Sequence, residues 1–221
     1  MGQTIELHAA DGHRFAAYRA GPENALAGLV VVQEIFGVNS HIRNVADRFA
    51  ALGYAVIAPA LFDRTERGVE LGYLAEDVQR GVAVRGKITN EQALLDIAAA
   101  AAELQTAKKF IVGYCWGGSL AWIAATQTKI FNAASGWYGS QVVQTKDAAP
   151  HCPVQLHFGE KDQGIPLSDV AAIHKAQPGV DIYTYPAGHG FGCDERTSYD
   201  SESASLAQCR TVAFFVKHQA D

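Results

Sequence analysis

The sequence predicts an α/β fold with a mostly parallel sheet, and three observations support this class. Short apolar segments alternate along the chain with segments that have a helical period. The apolar segments lack polar alternation, which is typical of parallel strands buried on both faces. A chain of 221 residues, 48% of them hydrophobic, is also long enough to build one large core. We therefore expect a single domain over residues 1–221, with a twisted sheet covered by helices on both faces.

The first two predicted strands form an amino-terminal antiparallel hairpin, because TIELHAA and HRFAAYRA flank the turn dipeptide Asp11-Gly12. Six further strands follow, and each is short and rich in branched or aromatic residues. These strands are GLVVVQ (28–33), YAVIAP (54–59), KKFIVGY (108–114), FNAASGWYG (131–139), PVQLHFG (153–159) and VDIYTYP (180–186). Reactive groups in such sheets gather at the carboxyl ends of the strands.

Five helices are predicted between and after these strands. Thr89 and Gln92 form a capping box at the start of one of them. The predicted helices are SHIRNVADRFAAL (40–52), EQALLDIAAAAAEL (91–104), GGSLAWIAATQ (117–127), PLSDVAAIHKA (166–176) and SESASLAQCRTVAFFVKHQ (201–219). The segment 59–87 is more charged and less periodic, and we interpret it as a partial cover over a pocket.

Charge and hydropathy exclude two classes of partner. The net charge is −5 and the longest basic run is the pair Lys108-Lys109, which argues against binding to nucleic acid or to an anionic membrane. The amino terminus lacks a basic start with an apolar stretch, and no segment approaches the ~20 apolar residues that cross a bilayer. We therefore expect a cytoplasmic protein that acts on a small molecule.

The four cysteines, at positions 115, 152, 193 and 209, form no Cys-x-x-Cys pair, so reduced thiols are expected. Metal binding is a weak hypothesis, because His189 and Cys193 are four residues apart but no further ligand falls at a recognisable spacing. We expect no metal and no cofactor. For the oligomeric state, we expect a monomer or a weak homodimer.

Cys115 lies in the segment Gly113-Tyr114-Cys115-Trp116-Gly117, which has the pattern of a nucleophile elbow with cysteine in place of serine. Glycines two positions on either side allow the strand and helix backbones to approach closely. Such a turn directs the amino terminus of the next helix at the sulfur, which favours a thiolate. The alternative is that Cys115 is a small buried apolar residue.

Two further residues follow predicted strands in the order expected for a triad. Asp162 comes after strand 153–159 and His189 after strand 180–186, so the chain order is nucleophile, acid, histidine. Taken singly, Asp162 is typical of a turn and His189 of a glycine-flanked loop. His157 lies inside a strand, and we predict a core residue with a satisfied hydrogen bond.

With these residues in place, the chain resembles the dienelactone hydrolase family of α/β-hydrolases over nearly its whole length. The matching motifs are VVQEIFGVNSHIR (31–43), GYCWGGSLAW (113–122), GWYG (136–139), FGEKD (158–162) and AGHGF (187–191). The resemblance implies an α/β-hydrolase fold and the hydrolysis of an enol-lactone or related carboxylic ester through a thioester. It also implies that Glu34 of the QEIFG motif contacts Cys115 and moves when substrate binds.

The remaining site residues follow from this interpretation. The backbone N–H groups of Trp116 and Ile35 are the expected oxyanion donors. Glu34 can accept the thiol proton, or it can instead satisfy backbone N–H groups at the strand end. Well-known family members hold a substrate carboxylate with two arginines, one of them four residues beyond the catalytic histidine, where this chain has Cys193.

The arginine candidates for substrate binding come from the family resemblance, and the aromatic candidates come from residue type. Arg80 and Arg85 of the covering segment are candidates for the second arginine, with Arg64 and Arg67 as alternatives; each can instead lie on a solvated face. Four aromatic candidates can line an apolar pocket or can pack in the core. They are Phe62, Trp137, Tyr138 and Phe191.

Two other functions remain open from the sequence. One is a general carboxylesterase or thioesterase on the same scaffold, which would turn over a simple ester much faster than a lactone. The other is a binding or redox-sensing domain in which Cys115 is catalytically idle, and its thiol would then react no faster than a free thiol.

Overall fold

The computed structural model describes residues 2–220. Within them lie eight strands and six α-helices, and helices alternate with strands along most of the chain. The chain forms two compact units, Met1–Ile111 and Val112–Asp221. The predicted α/β class is confirmed, whereas the single domain stays a prediction. In the described part of the chain, no helix combines the length and the apolarity needed to span a bilayer.

The first unit contains four complete strands, whose order is β1-β2-β4-β3. Its elements are β1 (Gln3–His8), β2 (Arg14–Ala20), β3 (Ala27–Val32), α1 (Ser40–Ala51), β4 (Ala55–Pro59), a 3₁₀ turn (Leu61–Arg64), α2 (Ala75–Arg85) and α3 (Asn90–Glu103). The predicted hairpin is confirmed, because β1 and β2 pair antiparallel from Gln3 opposite Arg19 to His8 opposite Arg14. Strand β2 is also antiparallel to β4, whereas β3 and β4 are parallel.

The local sequence explains why these elements form where they do. Every residue of β3 and of β4 is buried, as expected for strands without polar alternation. Helix α1 begins after Asn39, whose side chain accepts a hydrogen bond from the N–H of Ile42 at 3.3 Å. The predicted capping box of α3 is confirmed, with Thr89 and Gln92 each accepting from the other's backbone N–H.

Helix α2 lies in segment 59–87, where the sequence predicted a partial cover over a pocket but no helix. A Cβ atom on Gly81 of α2 would lie 2.0 Å from the carbonyl oxygen of Ile35, so the helix packs directly on the loop after β3. The same segment bonds to this loop again, since Leu71 donates its N–H to the carbonyl of Phe36 and Asn39 donates to the carbonyl of Leu71. Segment 59–87 therefore covers the loop that carries Glu34, while a pocket beneath it stays a prediction.

Strand β5 (Lys108–Tyr114) crosses the boundary into the second unit, where the strand order is β5-β6-β7-β8. The other elements are α4 (Trp116–Gln127), β6 (Ala133–Trp137), a 3₁₀ turn (Val143–Thr145), β7 (Val154–Gly159), α5 (Leu167–Ala176), β8 (Asp181–Tyr185) and α6 (Ser201–Ala220). Strands β6, β7 and β8 are parallel neighbours, which agrees with the predicted mostly parallel sheet. Their carboxyl ends therefore meet at one edge, and the loops after β7 and β8 begin there.

Candidate active site

Cys115 occupies the turn between β5 and α4, as the elbow motif predicts. Its φ of 55° and ψ of −115° lie in a region that L-residues rarely adopt. Two backbone hydrogen bonds hold it there, since its N–H donates to the carbonyl of Trp137 at 2.9 Å and its carbonyl accepts from Ser119 at 3.2 Å. In this strained turn the Cys115 side chain is only partly buried.

Two glycines of the motif are required for a steric reason. A Cβ atom on Gly113 would lie 1.9 Å from the carbonyl oxygen of Gly117, and one on Gly118 would lie 2.3 Å from that of Trp137. Both distances are far below van der Waals contact with backbone atoms that cannot move independently. The close approach of β5, α4 and β6 therefore requires glycine at positions 113 and 118.

The second unit brings Cys115, His189 and Asp162 together. His189 Nε2 lies 3.2 Å from Cys115 Sγ, and His189 Nδ1 lies 2.7 Å from Asp162 Oδ2. The other carboxylate oxygen of Asp162 accepts the N–H of Gly164 at 2.8 Å, which fixes the orientation of the carboxylate. Asp162 is buried, whereas His189 is partly exposed. These contacts form an unbroken line of hydrogen bonds from carboxylate through imidazole to sulfur.

The electrostatics of this line favour a protonated histidine. Burial of the ring opposes its charge, but hydrogen bonds to Asp162 and Cys115 and the charges of both groups raise the pKa of His189 from its ordinary 6.5 to about 10. An imidazolium 3.2 Å from sulfur stabilises a thiolate there. The cluster therefore places a protonated imidazole, which can donate a proton, next to the Cys115 sulfur.

The other three cysteines are also free of disulfides in the structure. Burial raises the pKa of the Cys152 thiol to about 11, so it stays protonated at neutral pH. Cys193 is fully buried in the loop after His189, and Cys209 is exposed on α6. Cys115 is the cysteine whose sulfur the His189 imidazole contacts, and it is therefore the candidate nucleophile.

Glu34 and Ile35 lie in the first unit, in the loop after β3. Glu34 is 1% exposed, so its carboxylate is held inside the protein. Gln33 stabilises this loop, because its amide donates to the carbonyl of Glu34 at 3.2 Å and its oxygen accepts the N–H of Leu61 at 3.0 Å. Trp116 is the first residue of α4 in the second unit. The roles of Glu34, Ile35 and Trp116 stay predictions.

The aromatic residues predicted to contact substrate are buried. Phe62, Trp137, Tyr138 and Phe191 expose at most 2% of their surface. The Tyr138 ring packs edge-on against the His189 ring at 5.2 Å, and Phe191 stacks on Trp137 at 5.6 Å. Their burial favours the packing alternative, with three of them supporting the histidine loop, and substrate contact by any of the four stays a prediction.

Arg64 and Arg80 of the covering segment form ion pairs that differ in burial. Arg64 binds Asp96 through Nε at 2.9 Å and Nη2 at 2.7 Å and also pairs with Asp11, while its side chain is only 6% exposed. Arg80 pairs with Glu66 at 2.6 Å, with both side chains about half exposed. Arg85 lies in the last turn of α2. Arg64 therefore has a structural role, and substrate binding by Arg80 or Arg85 stays a prediction.

Removing the Arg64 guanidinium is expected to destabilise the fold. The Arg64→Ala variant leaves Asp96 fully buried without its bidentate partner, which costs about 3–5 kcal/mol in free energy of unfolding. The exposed pair provides the control, because Arg80→Ala is expected to cost less than about 1 kcal/mol. Urea unfolding measures the loss in free energy of unfolding of both variants, and equal m-values show that the two losses can be compared. Equal losses in the two variants would contradict the structural assignment of Arg64.

One buried residue of the second unit, Thr211, carried no local sequence signal. Thr211 of α6 is fully buried and bonds to His157, Trp137 and Ser135, although nothing in its neighbourhood marks it. The one available hint is that a threonine occupies the otherwise mainly apolar buried face of α6. His157 itself was predicted correctly, because it is buried and its ring nitrogens are bonded to Tyr185, Gln155 and Thr211.

Comparison with known protein families now identifies the chain. Residues 15–219 match the model described as "Dienelactone hydrolase family". The chain belongs to the dienelactone hydrolase family. The resemblance drawn from the sequence motifs is therefore confirmed, as is the assignment to hydrolases of ester bonds.

Individual relatives agree with the family match. The chain is 33% identical over 208 residues to the "Putative carboxymethylenebutenolidase" of Synechocystis sp., covering 85% of this chain and 84% of the relative. A protein of the same description from Yersinia pestis is 33% identical over 230 residues, covering 94% and 85%. The crystal structure of a "Putative Dienelactone Hydrolase" from Klebsiella pneumoniae superposes with a TM-score of 0.84 at 31% identity, covering 97% and 99%. These comparisons confirm the α/β-hydrolase fold.

Proposed function

We propose that this dienelactone hydrolase family member hydrolyses an enol-lactone or related carboxylic ester through a thioester on Cys115. The observation that carries the proposal is the hydrogen-bonded line from Asp162 through His189 to the Cys115 sulfur. A sulfur beside a protonated imidazole is suited to nucleophilic attack, and an ester carbonyl is the electrophile that family membership supplies.

The reaction proceeds in two halves that balance in protons. The Cys115 thiolate attacks the carbonyl carbon, and the oxyanion is stabilised by the N–H groups of Trp116 and Ile35. The C–S bond remains as the C–O bond breaks, and His189 Nε2 gives its proton to the departing oxygen. Water then attacks the thioester while the neutral His189 accepts its proton, and the acid leaves as the thiolate re-forms. Asp162 orients the ring throughout and stabilises its charge.

The substrate class fits the chemistry of a sulfur nucleophile. An enolate or an activated alkoxide leaves readily, so the thiolate is not expelled in preference to it, as it would be with an amide. In a lactone the leaving oxygen stays attached to the acyl chain, so one product is released after hydrolysis. We further infer that Glu34 accepts the thiol proton when the resting sulfur is protonated.

Trapping the acyl-enzyme tests this proposal. The protein is mixed with p-nitrophenyl acetate, quenched in acid during turnover and digested for mass spectrometry. An acetyl group is expected on the Cys115 peptide, with the exposed Cys209 unlabelled on the same timescale as an internal control. Turnover accompanied by no label on Cys115, under a quench that preserves an authentic thioester, would contradict the thioester route.

A general carboxylesterase or thioesterase is the second candidate, and one observation favours it. Position 193, where the resemblance places a carboxylate-binding arginine, holds a fully buried cysteine. A neutral acyl group would then suit the site as well as an anionic one. Comparing kcat/KM for p-nitrophenyl acetate and a dienelactone separates the two, because faster turnover of the simple ester supports the esterase and faster turnover of the lactone supports the lactonase.

A further inference from the structure

A buried polar cluster lies on α6, β6 and β7, beyond the triad itself. The Thr211 hydroxyl is within hydrogen-bond distance of three groups, namely Trp137 Nε1 at 3.2 Å, His157 Nε2 at 3.1 Å and Ser135 Oγ at 3.3 Å. All four residues expose 2% or less of their surface. Water therefore has little access to replace any of these bonds.

The direction of each bond follows from the state of His157. Complete burial and the nearby charge of Arg210 lower the pKa of His157 to about 3, so the ring is neutral and has one N–H. Nδ1 faces the Tyr185 hydroxyl at 2.8 Å and accepts from it, while the Nε2–H faces the Gln155 oxygen at 2.8 Å and Thr211. Tyr185 can donate because its oxygen accepts from Arg210 at 3.1 Å.

Thr211 then uses its whole hydrogen-bonding capacity. Its oxygen accepts the Trp137 indole N–H and a share of the single His157 Nε2–H, whose shorter contact is to the Gln155 oxygen at 2.8 Å, and its own proton goes to Ser135. A hydroxyl has one donor and two acceptor sites, so no capacity is left over. The Trp137 indole, which is a donor only, is thereby fixed in one orientation.

Trp137 contacts Cys115 and the loop that follows His189. Its backbone carbonyl accepts the N–H of Cys115 at 2.9 Å, which holds the strained turn. Its indole stacks on Phe191 at 5.6 Å, and a Cβ atom on Gly192 would lie 2.8 Å from the indole ring. Phe191 and Gly192 closely follow His189 in its loop, so the indole supports that loop from within the core.

We propose that Thr211 is a positioning residue, which fixes the Trp137 indole and thereby sets the placement of His189 relative to Cys115. This inference rests on the proposed function, because it assigns a role within that same reaction. Thr211 acts through Trp137 and is not itself a partner of the sulfur or of the catalytic imidazole. A shift of the histidine loop lengthens the bond between His189 Nε2 and Cys115 Sγ, on which both the thiolate and the proton transfer depend.

Isosteric substitution tests the role. Thr211→Val keeps the side-chain shape and removes the acceptor, and it is expected to lower kcat for p-nitrophenyl acetate by about tenfold or more with KM little changed. Thr211→Ser restores the hydroxyl and is expected to stay within about twofold of the wild type. Thr126→Val is the matched control, since Thr126 is a buried threonine of α4 whose hydroxyl bonds only to carbonyls of its own helix among the contacts described.

A second readout follows the sulfur directly. Alkylation of the Cys115 peptide by iodoacetamide is measured against pH in a Cys209→Ser background. Thr211→Val is expected to slow alkylation at pH 6.5 and move the profile towards that of a free thiol, whereas Thr126→Val leaves it unchanged. If Thr211→Val does not fold, Trp137→Phe takes its place in the test. This variant removes the indole donor while keeping an aromatic ring, and it is expected to lower kcat and to slow the alkylation of Cys115 at pH 6.5.

The outcomes separate this inference from the proposed function. The inference is overturned if Thr211→Val keeps the wild-type kcat and alkylation profile, if Thr211→Ser is equally impaired, or if Thr126→Val loses as much activity. If instead the wild-type protein turned over p-nitrophenyl acetate without an acetyl label on Cys115, the proposed function would be contradicted. Melting temperatures of all variants show whether an activity loss merely follows a stability loss.

Discussion

Replacing Cys115 with alanine is expected to lower kcat/KM for p-nitrophenyl acetate by about 10⁴-fold or more. The substitution removes the sulfur bonded to His189 at 3.2 Å, and the thiol of Cys152, whose pKa burial raises to about 11, cannot replace it. Without a nucleophile, only oxyanion stabilisation and binding remain to accelerate attack by water. Steady-state kinetics measures the loss, and circular dichroism and the melting temperature check the fold.

The remaining cysteines supply the control. Cys209→Ala changes an exposed thiol on α6 and is expected to leave kcat/KM at the wild-type value. Cys115→Ser is expected to be nearly as inactive as Cys115→Ala, because a hydroxyl is far harder to ionise than a thiol and this site relies on a sulfur already paired with an imidazolium. Undiminished turnover by Cys115→Ala would remove Cys115 from the mechanism and favour the catalytically idle alternative.

The strands were predictable because their burial leaves a simple pattern. All of β3, β4, β6 and β7 is buried, and each appears in the sequence as a short apolar run. Helix α2 was not predicted, because its apolar residues form only a weak stripe and just two of its residues, Gly81 and Val84, are buried. Its position depends on contact with the Ile35 backbone, far away in sequence. The acidic residues Glu76 and Asp77 in its first turn were the usable local signal.

The triad was predictable for a different reason. A parallel sheet brings strand ends together, so chain order and strand assignment were enough to place Asp162 and His189 near Cys115. The contacts of side chains with no such constraint were not predictable. Arg64 pairs with Asp96, 32 positions away, and Trp137 bonds to Thr211, 74 positions away, and neither spacing has a local pattern.

Replacing Asp162 with asparagine is expected to lower kcat by about 10²- to 10⁴-fold while the protein stays folded. The carboxylate accepts the His189 Nδ1–H at 2.7 Å, and this bond fixes the ring with Nε2 towards the sulfur. An amide cannot supply the negative charge and can turn its NH₂ group to Nδ1, which selects the wrong tautomer. Asp181→Asn, at an exposed carboxylate beginning β8, is the control and should retain full activity.

The same substitution should be visible in the titration of His189. In the wild type, Asp162 and Cys115 outweigh burial and raise the pKa of His189 to about 10, so the ring stays protonated through neutral pH. Asp162→Asn removes one of the two raising partners while burial still lowers the pKa, so the midpoint must fall. NMR of ¹³C-labelled histidine measures this midpoint. An unchanged midpoint would mean that Asp162 does not control the charge of the ring.

Stability should follow the same titration with a defined sign. Because the folded pKa of His189 lies above its ordinary 6.5, the bonds of the imidazolium contribute fully below about pH 6.5 and are lost as pH rises through about 10. Asp162→Asn reduces this contribution, so its deficit in free energy of unfolding should be largest at pH 6.5 and shrink towards pH 10. Urea unfolding across this window tests the slope, and a deficit that grows with pH would show that the charged ring is not what Asp162 stabilises.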